Sequence, residues 1–163
     1  MQKILKNVYE NKKRLKLCLA LSTISAYCSA VLFGLQLLYH LLGGEYITLA
    51  VVAGFAAAGF IAVTVARKLI NAKRPYEVYA FYDVPPRNKT GESHPSRHAY
   101  SAAVIATLGF AVSPFLTLGT GILALIIAVT RVVTGVHFVR DVIAGLTLGI
   151  LFGGAGLLTL FLI

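Results

Sequence analysis

Three short polar segments of this chain concentrate residue types that can handle a phosphoryl group. The last of them reads Thr130-Arg131-Val132-Val133-Thr134-Gly135-Val136-His137-Phe138-Val139-Arg140-Asp141. A helix beginning near His137 places Asp141 four residues on and on the same face. There a carboxylate can fix the imidazole tautomer and stabilise its cation, which makes a nucleophile with its orienter. The same residues also suit a plain helix start, with the carboxylate satisfying backbone donors and the helix dipole.

The middle segment, Ser93-His94-Pro95-Ser96-Arg97-His98, stands directly before an apolar run. Pro95-Ser96 reads as a helix entry whose free amides can hold phosphate oxygens. Arg97 adds charge and His98 a proton donor. The competing account makes Ser96 an N-cap and Arg97 and His98 interface anchors. The first segment, Arg67-Lys68-Leu69-Ile70-Asn71-Ala72-Lys73-Arg74-Pro75, closes another apolar run. If the helix continues, Arg67 and Arg74, seven apart, present two guanidinium forks on one side for bidentate phosphate contacts. A basic flank that stops membrane transfer would carry the same charges. Together the three segments supply donors, an acid and an oriented nucleophile, the set that phosphoryl transfer requires.

The order and spacing of these segments resemble the three-part signature of the type 2 phosphatidic acid phosphatase superfamily, K-x6-R-P, P-S-G-H and S-R-x5-H-x3-D. Here they stand as Arg67-x6-Arg74-Pro75, Pro95-Ser96-Arg97-His98 and Thr130-Arg131-x5-His137-x3-Asp141. Three positions depart from the pattern: Arg67 replaces Lys, Arg97 replaces Gly and Thr130 replaces Ser. None removes the nucleophile, its carboxylate or the acid, and Arg97 adds a charged side chain beside the backbone amide of the second motif.

The resemblance implies a phosphohistidine mechanism. His137 is the expected nucleophile, Asp141 its partner, and His98 the acid that protonates the departing lipid oxygen. Arg67, Arg74, Ser96, Arg97 and Arg131 are the expected phosphate ligands. No cofactor or metal is expected, because the arginines can neutralise the phosphate and no His/Cys cluster or carboxylate group has cation-ligand spacing. His40 and His94 are left without a role. The expected partners are a phosphorylated membrane lipid and the bilayer, with phosphatidylglycerophosphate, undecaprenyl pyrophosphate and phosphatidic acid as candidate substrates. A phosphotransferase, and a non-catalytic protein that binds or moves anionic lipids, use the same basic face. A haloperoxidase, which shares a related anion pocket, suits so hydrophobic a chain less well.

The elements that must position these groups follow from hydropathy. With 58% hydrophobic and 13% charged residues and a mean hydropathy of +0.80, the chain is too apolar for an ordinary soluble domain. A net charge of +9 could signal nucleic acid. The basic residues, however, sit at the N-terminus and beside apolar runs, which suits an anionic membrane surface or substrate. Five apolar runs, at 15–42, 46–66, 98–112, 115–130 and 138–163, predict an all-α, polytopic transmembrane bundle of about five spanning helices in one domain, 1–163. Ile4, Leu5, Val8 and Tyr9 recur among basic residues ahead of the first run, as in a helix lying in the interface. The first run lacks the cleavage site of a signal peptide and is expected to stay as a span. Cys18 and Cys28, ten apart on one helix, cannot bridge each other. The prolines of 67–97, including Pro85 and Pro86, argue against a continuous helix there.

Counting spans puts all 15 Lys and Arg residues on one side of the membrane. By the positive-inside rule that side is cytoplasmic in an inner, bacterial cell membrane, although substrate-binding arginines inflate the count.

Overall fold

The computed structural model describes residues 2–79 and 90–163. Its elements are helical: α1 (Gln2–Glu10), α2 (Lys12–Leu42), α3 (Tyr46–Ile70), α4 (Pro75–Val78), α5 (Arg97–Leu108), α6 (Pro114–Val133) and α7 (Val139–Leu162). A 3-10 turn, Gly109–Ala111, follows α5. The prolines Pro85 and Pro86 lie outside the described residues.

Local chemistry sets the boundaries. The Asn11 side chain accepts from the amides of Lys13 and Arg14 at 3.1 and 3.2 Å, ending α1 and capping α2. Gly44, at φ 72°, turns the chain after α2. Asn71 closes α3 in the left-handed region at φ 43°, which Asn tolerates better than most residues. Ser113 caps α6 by accepting from the Leu116 amide at 3.1 Å, and Pro114 occupies the first helical position, where no amide is needed.

Among the described residues four helices, α2, α3, α6 and α7, are long and apolar enough to cross a membrane. They expose leucine, isoleucine and phenylalanine side chains such as Leu17, Ile24, Ile61, Phe115, Leu125 and Ile150 around the bundle, the arrangement expected where lipid is the outer solvent. The chain is an integral membrane protein. The expected third span is the short one. With 12 residues, α5 rises roughly 18 Å at 1.5 Å per residue, less than the hydrocarbon layer. It can be short because neighbouring helices, not lipid, surround it. Ala99, Tyr100, Ala102, Ala103, Val104 and Leu108 are all buried.

α5 packs most extensively against α7 and next against α6. Gly145, Gly149 and Gly153 make the close approach to α7 feasible, recurring every fourth residue on the face that meets α5. A Cβ at Gly149 would lie 2.6 Å from both the Ala103 Cβ and the Tyr100 carbonyl, and one at Gly145 would lie 2.4 Å from the Ser96 carbonyl. Small residues of this kind let membrane helices meet backbone to backbone. Gly149→Ala must push the helices apart, and overpacking of this kind typically costs about 1–3 kcal/mol. The expected result is a lower unfolding midpoint in detergent; an unchanged midpoint would contradict the packing described.

α1 is the expected amphipathic helix, with Lys3 and Lys6 exposed and Leu5 fully buried. It docks on the turn between α6 and α7. Leu5 fills the space beside Gly135, whose added Cβ would lie 2.9 Å from the Leu5 Cδ2. The Tyr9 hydroxyl donates to the Thr134 carbonyl at 3.0 Å. The N-terminal helix therefore braces the turn that carries His137.

Candidate active site

All three polar segments converge at one end of the bundle, around a cavity of about 520 Å³. Arg67, Arg74, Arg97, His98, Arg131 and His137 line it.

Arg67 belongs to the last turn of α3 and is only 4% exposed. Its guanidinium donates to the Pro95 carbonyl at 3.2 Å, while its buried Nε has no hydrogen-bond partner among the described residues. Arg74 does not reach the cavity on a continuation of α3. The left-handed Asn71 ends α3, and Pro75 begins the separate turn α4, since proline fits a first helical position and disfavours helix before it. Arg74 is held by lacing between the two loops. Its Nε donates to the Gly91 carbonyl at 2.9 Å, and Glu77 accepts from the Arg74 and Gly91 amides at 2.8 and 3.0 Å. The Ser93 amide donates to the Ala72 carbonyl at 2.8 Å, joining the first and second segments.

Arg97 opens α5, lines the cavity and lies over the Phe60 ring, 5.6 Å from its centroid. That is a cation–π distance. Ser96 has a different position from the phosphate contact expected of it. It is fully buried, its Oγ accepts from the Ala99 amide at 3.4 Å as the N-cap of α5, and it is absent from the cavity wall. Its amide donates to the Asp141 carbonyl at 2.8 Å, pinning the start of α5 to the start of α7.

His137 also departs from the expected local structure. The helix α7 begins at Val139, so His137 lies in the preceding turn rather than on a shared helical face with Asp141. Gly135, at φ 64°, makes the turn that brings it back toward α6. The His137 amide donates to the Arg131 carbonyl at 3.1 Å. Asp141 is fully buried behind the cavity, and its Oδ2 accepts from the Phe138 amide at 2.9 Å, satisfying one of the unpaired donors of a helix start. The expected direct contact from Asp141 to the imidazole is long, 3.9 Å from Oδ2 to Nδ1.

Sequence reasoning passed over Ser93, which is fully buried and lies within reach of both Asp141 and His137. The one available signal was its place two residues ahead of the Pro95-Ser96 motif. Tyr76, Thr90 and Glu92 join the cavity wall as well, placed there by α4 and the loop lacing.

Burial pushes the His137 imidazole down to about 3 from its ordinary value of 6.5, helped by Arg74 and Arg67; Asp141 and the Ser93 backbone act in the opposite direction. A depressed imidazole carries its extra proton only in strong acid and keeps a free ring nitrogen above it, as a nucleophile needs. In histidine-selective NMR, with His137→Gln for assignment, the His137 resonance is expected not to titrate between about pH 5 and 8. A midpoint near 6.5 would show that the arginines and burial do not act on it.

The arrangement can bind a phosphoryl group among guanidinium donors, with an uncharged imidazole on one wall and a second imidazole, His98, on another. No curated protein matches the chain. Among solved structures, LpxE from Aquifex aeolicus is 24% identical, with a TM-score of 0.72 over 96% of this chain and 93% of that one. A transmembrane PAP2 type phosphatidylglycerolphosphate phosphatase from Bacillus subtilis is 18% identical, with a TM-score of 0.49 over 95% of this chain and 89% of that one. The PAP2 superfamily pattern matches residues 45–161, well over half of the chain and all three polar segments, and the chain belongs to that superfamily.

Proposed function

We propose that this protein is a membrane phosphatase that removes phosphate from a lipid through a phosphohistidine intermediate. The observation that carries this reading is the cavity in which His98 and His137 share walls with four arginines. Arg67, Arg74, Arg97 and Arg131 would hold the phosphate oxygens and stabilise charge on them in the transition state. The His137 ring nitrogen remote from Asp141 attacks phosphorus in line. As the P–N bond forms, the P–O bond to the lipid breaks, and His98 gives its proton to the departing oxygen. His98 then takes a proton from water, which attacks phosphorus, breaks the P–N bond and releases inorganic phosphate.

The substrate is a lipid because the cavity lies at the end of spanning helices, where a headgroup can enter while its chains remain in the bilayer. Of the candidates, the basic N-terminal cluster favours a cytoplasmic site in a bacterial inner membrane. There phosphatidylglycerophosphate would be met; undecaprenyl pyrophosphate would be met on the outer face.

Phosphate release by purified protein in detergent with EDTA, from phosphatidylglycerophosphate, undecaprenyl pyrophosphate and phosphatidic acid, tests this reading. Release that survives the chelator, with one lipid preferred, is expected. Well-folded protein that binds these lipids and releases no phosphate from any of them would instead be a lipid-binding or phosphotransfer protein.

A further inference from the structure

Asp141 is too far from His137 for a direct hydrogen bond, at 3.9 Å, and its carboxylate is already engaged on both oxygens. On one side the His94 Nδ1 lies 3.0 Å from Oδ1, with the Arg140 Nε at 3.7 Å. On the other side, Oδ2 accepts from the Phe138 amide and, at 2.5 Å, from the Ser93 hydroxyl. The same Ser93 oxygen lies 3.4 Å from the His137 Nδ1. Ser93 is fully buried, and its amide is tied to the Ala72 carbonyl at 2.8 Å, so the hydroxyl has little freedom to look elsewhere.

We propose that Ser93 is the positioning residue through which Asp141 orients His137, and that His94 steadies the carboxylate from its far side. A carboxylate can only accept, so the Ser93 proton points at Asp141. The Ser93 oxygen then presents its lone pairs to the imidazole, and Nδ1 must carry the hydrogen. That tautomer leaves Nε2 with its lone pair free for phosphorus. When the imidazole acquires positive charge on attack, the Nδ1–H···Oγ–H···Oδ2 chain shortens and transmits the carboxylate's charge to it. The backbone of Ser93 also favours the charged imidazole, so removing the hydroxyl weakens the orientation without abolishing it. Both residues precede the motif expected to do chemistry, and neither lines the cavity.

This inference rests on the phosphatase reading and is tested beside it, with phosphatidylglycerophosphate in mixed micelles as the probe. Ser93→Ala is expected to lower kcat by about ten- to a hundredfold and leave KM within about twofold, because no phosphate ligand is touched. Ser93→Thr, which restores a hydroxyl, should recover most of the loss. In an Asp141→Asn background Ser93→Ala should cost less than about twofold more, since the two act in series. His94→Ala should lower kcat less than Ser93→Ala does. Ser93→Ala with wild-type kcat while His137→Ala is dead, or fully additive losses with Asp141→Asn, overturns the proposal alone. Wild type that is inert on all three candidate lipids overturns the phosphatase reading beneath it. If Ser93→Ala does not fold, Ser93→Cys decides: its weak thiol donor should lower kcat at least about tenfold with KM intact, and wild-type kcat overturns the proposal.

Discussion

His137→Ala is expected to lower phosphate release by at least about ten-thousandfold, because the proposed covalent intermediate forms on the ring nitrogen that the substitution removes. The residual rate would come from the arginines alone, which still bind and polarise the phosphate. Wild-type protein mixed briefly with lipid carrying radiolabelled phosphate and quenched in alkali should hold label on the peptide containing His137. The variant should hold none, while still binding the lipid, since Arg67 and Arg74 are fixed by the Pro95 and Gly91 carbonyls rather than by the imidazole. Label that persists in His137→Ala would move the nucleophile elsewhere, and rapid release with no label would favour direct attack by water.

His98→Ala should produce the second large effect, and its size should depend on the leaving group. A lipid alkoxide is strongly basic and needs a proton as the P–O bond breaks. General acid catalysis of this kind is worth about a hundred- to ten-thousandfold. An aryl phosphate with a nitrophenolate leaving group departs without that help. In a single turnover, formation of the labelled protein should therefore slow by about that factor with lipid and by less than about tenfold with the aryl phosphate. Equal losses with both substrates would mean that His98 serves binding rather than proton transfer. Burial, and then the four arginines that line the same cavity, disfavour a further positive charge on His98. A bound phosphate dianion offsets that repulsion, so the charged acid is favoured when substrate is present.

Much of this site could be read along the chain because phosphoryl chemistry needs particular residue types and the helices set their spacing. His98, His137, Arg67, Arg74, Arg97 and Arg131 all reach one cavity, although they come from three different helices and two turns. Apolar runs separated by polar turns bring every second loop to the same membrane face, so topology puts them at one end of the bundle. The number of spans was harder. Hydropathy cannot distinguish a helix that faces lipid from one encased by other helices, and α5, at 12 residues, is of the second kind.

Two relationships that helical periodicity allowed are made differently. Arg67 and Arg74 share the cavity without sharing a helix, because Asn71 adopts the left-handed conformation and the chain turns before Pro75. His137 and Asp141 are separated by a helix start, which gives the carboxylate a backbone amide to satisfy and leaves it 3.9 Å from the imidazole.

By itself, the amino-acid order determined the membrane-spanning character, the helical class and the residue types available to the candidate site. These depend on hydropathy, residue chemistry and spacing within a segment, all of which are local. Only the tertiary structure decided that Ser96 is an N-cap outside the cavity wall, that Ser93 lies between Asp141 and His137, and that α1 braces the turn carrying His137. Those outcomes depend on contacts across as many as 125 residues. Close approach of α5 and α7 along Gly145, Gly149 and Gly153 sets the meeting of the second and third segments. No local pattern specifies which buried hydroxyl a distant carboxylate will meet.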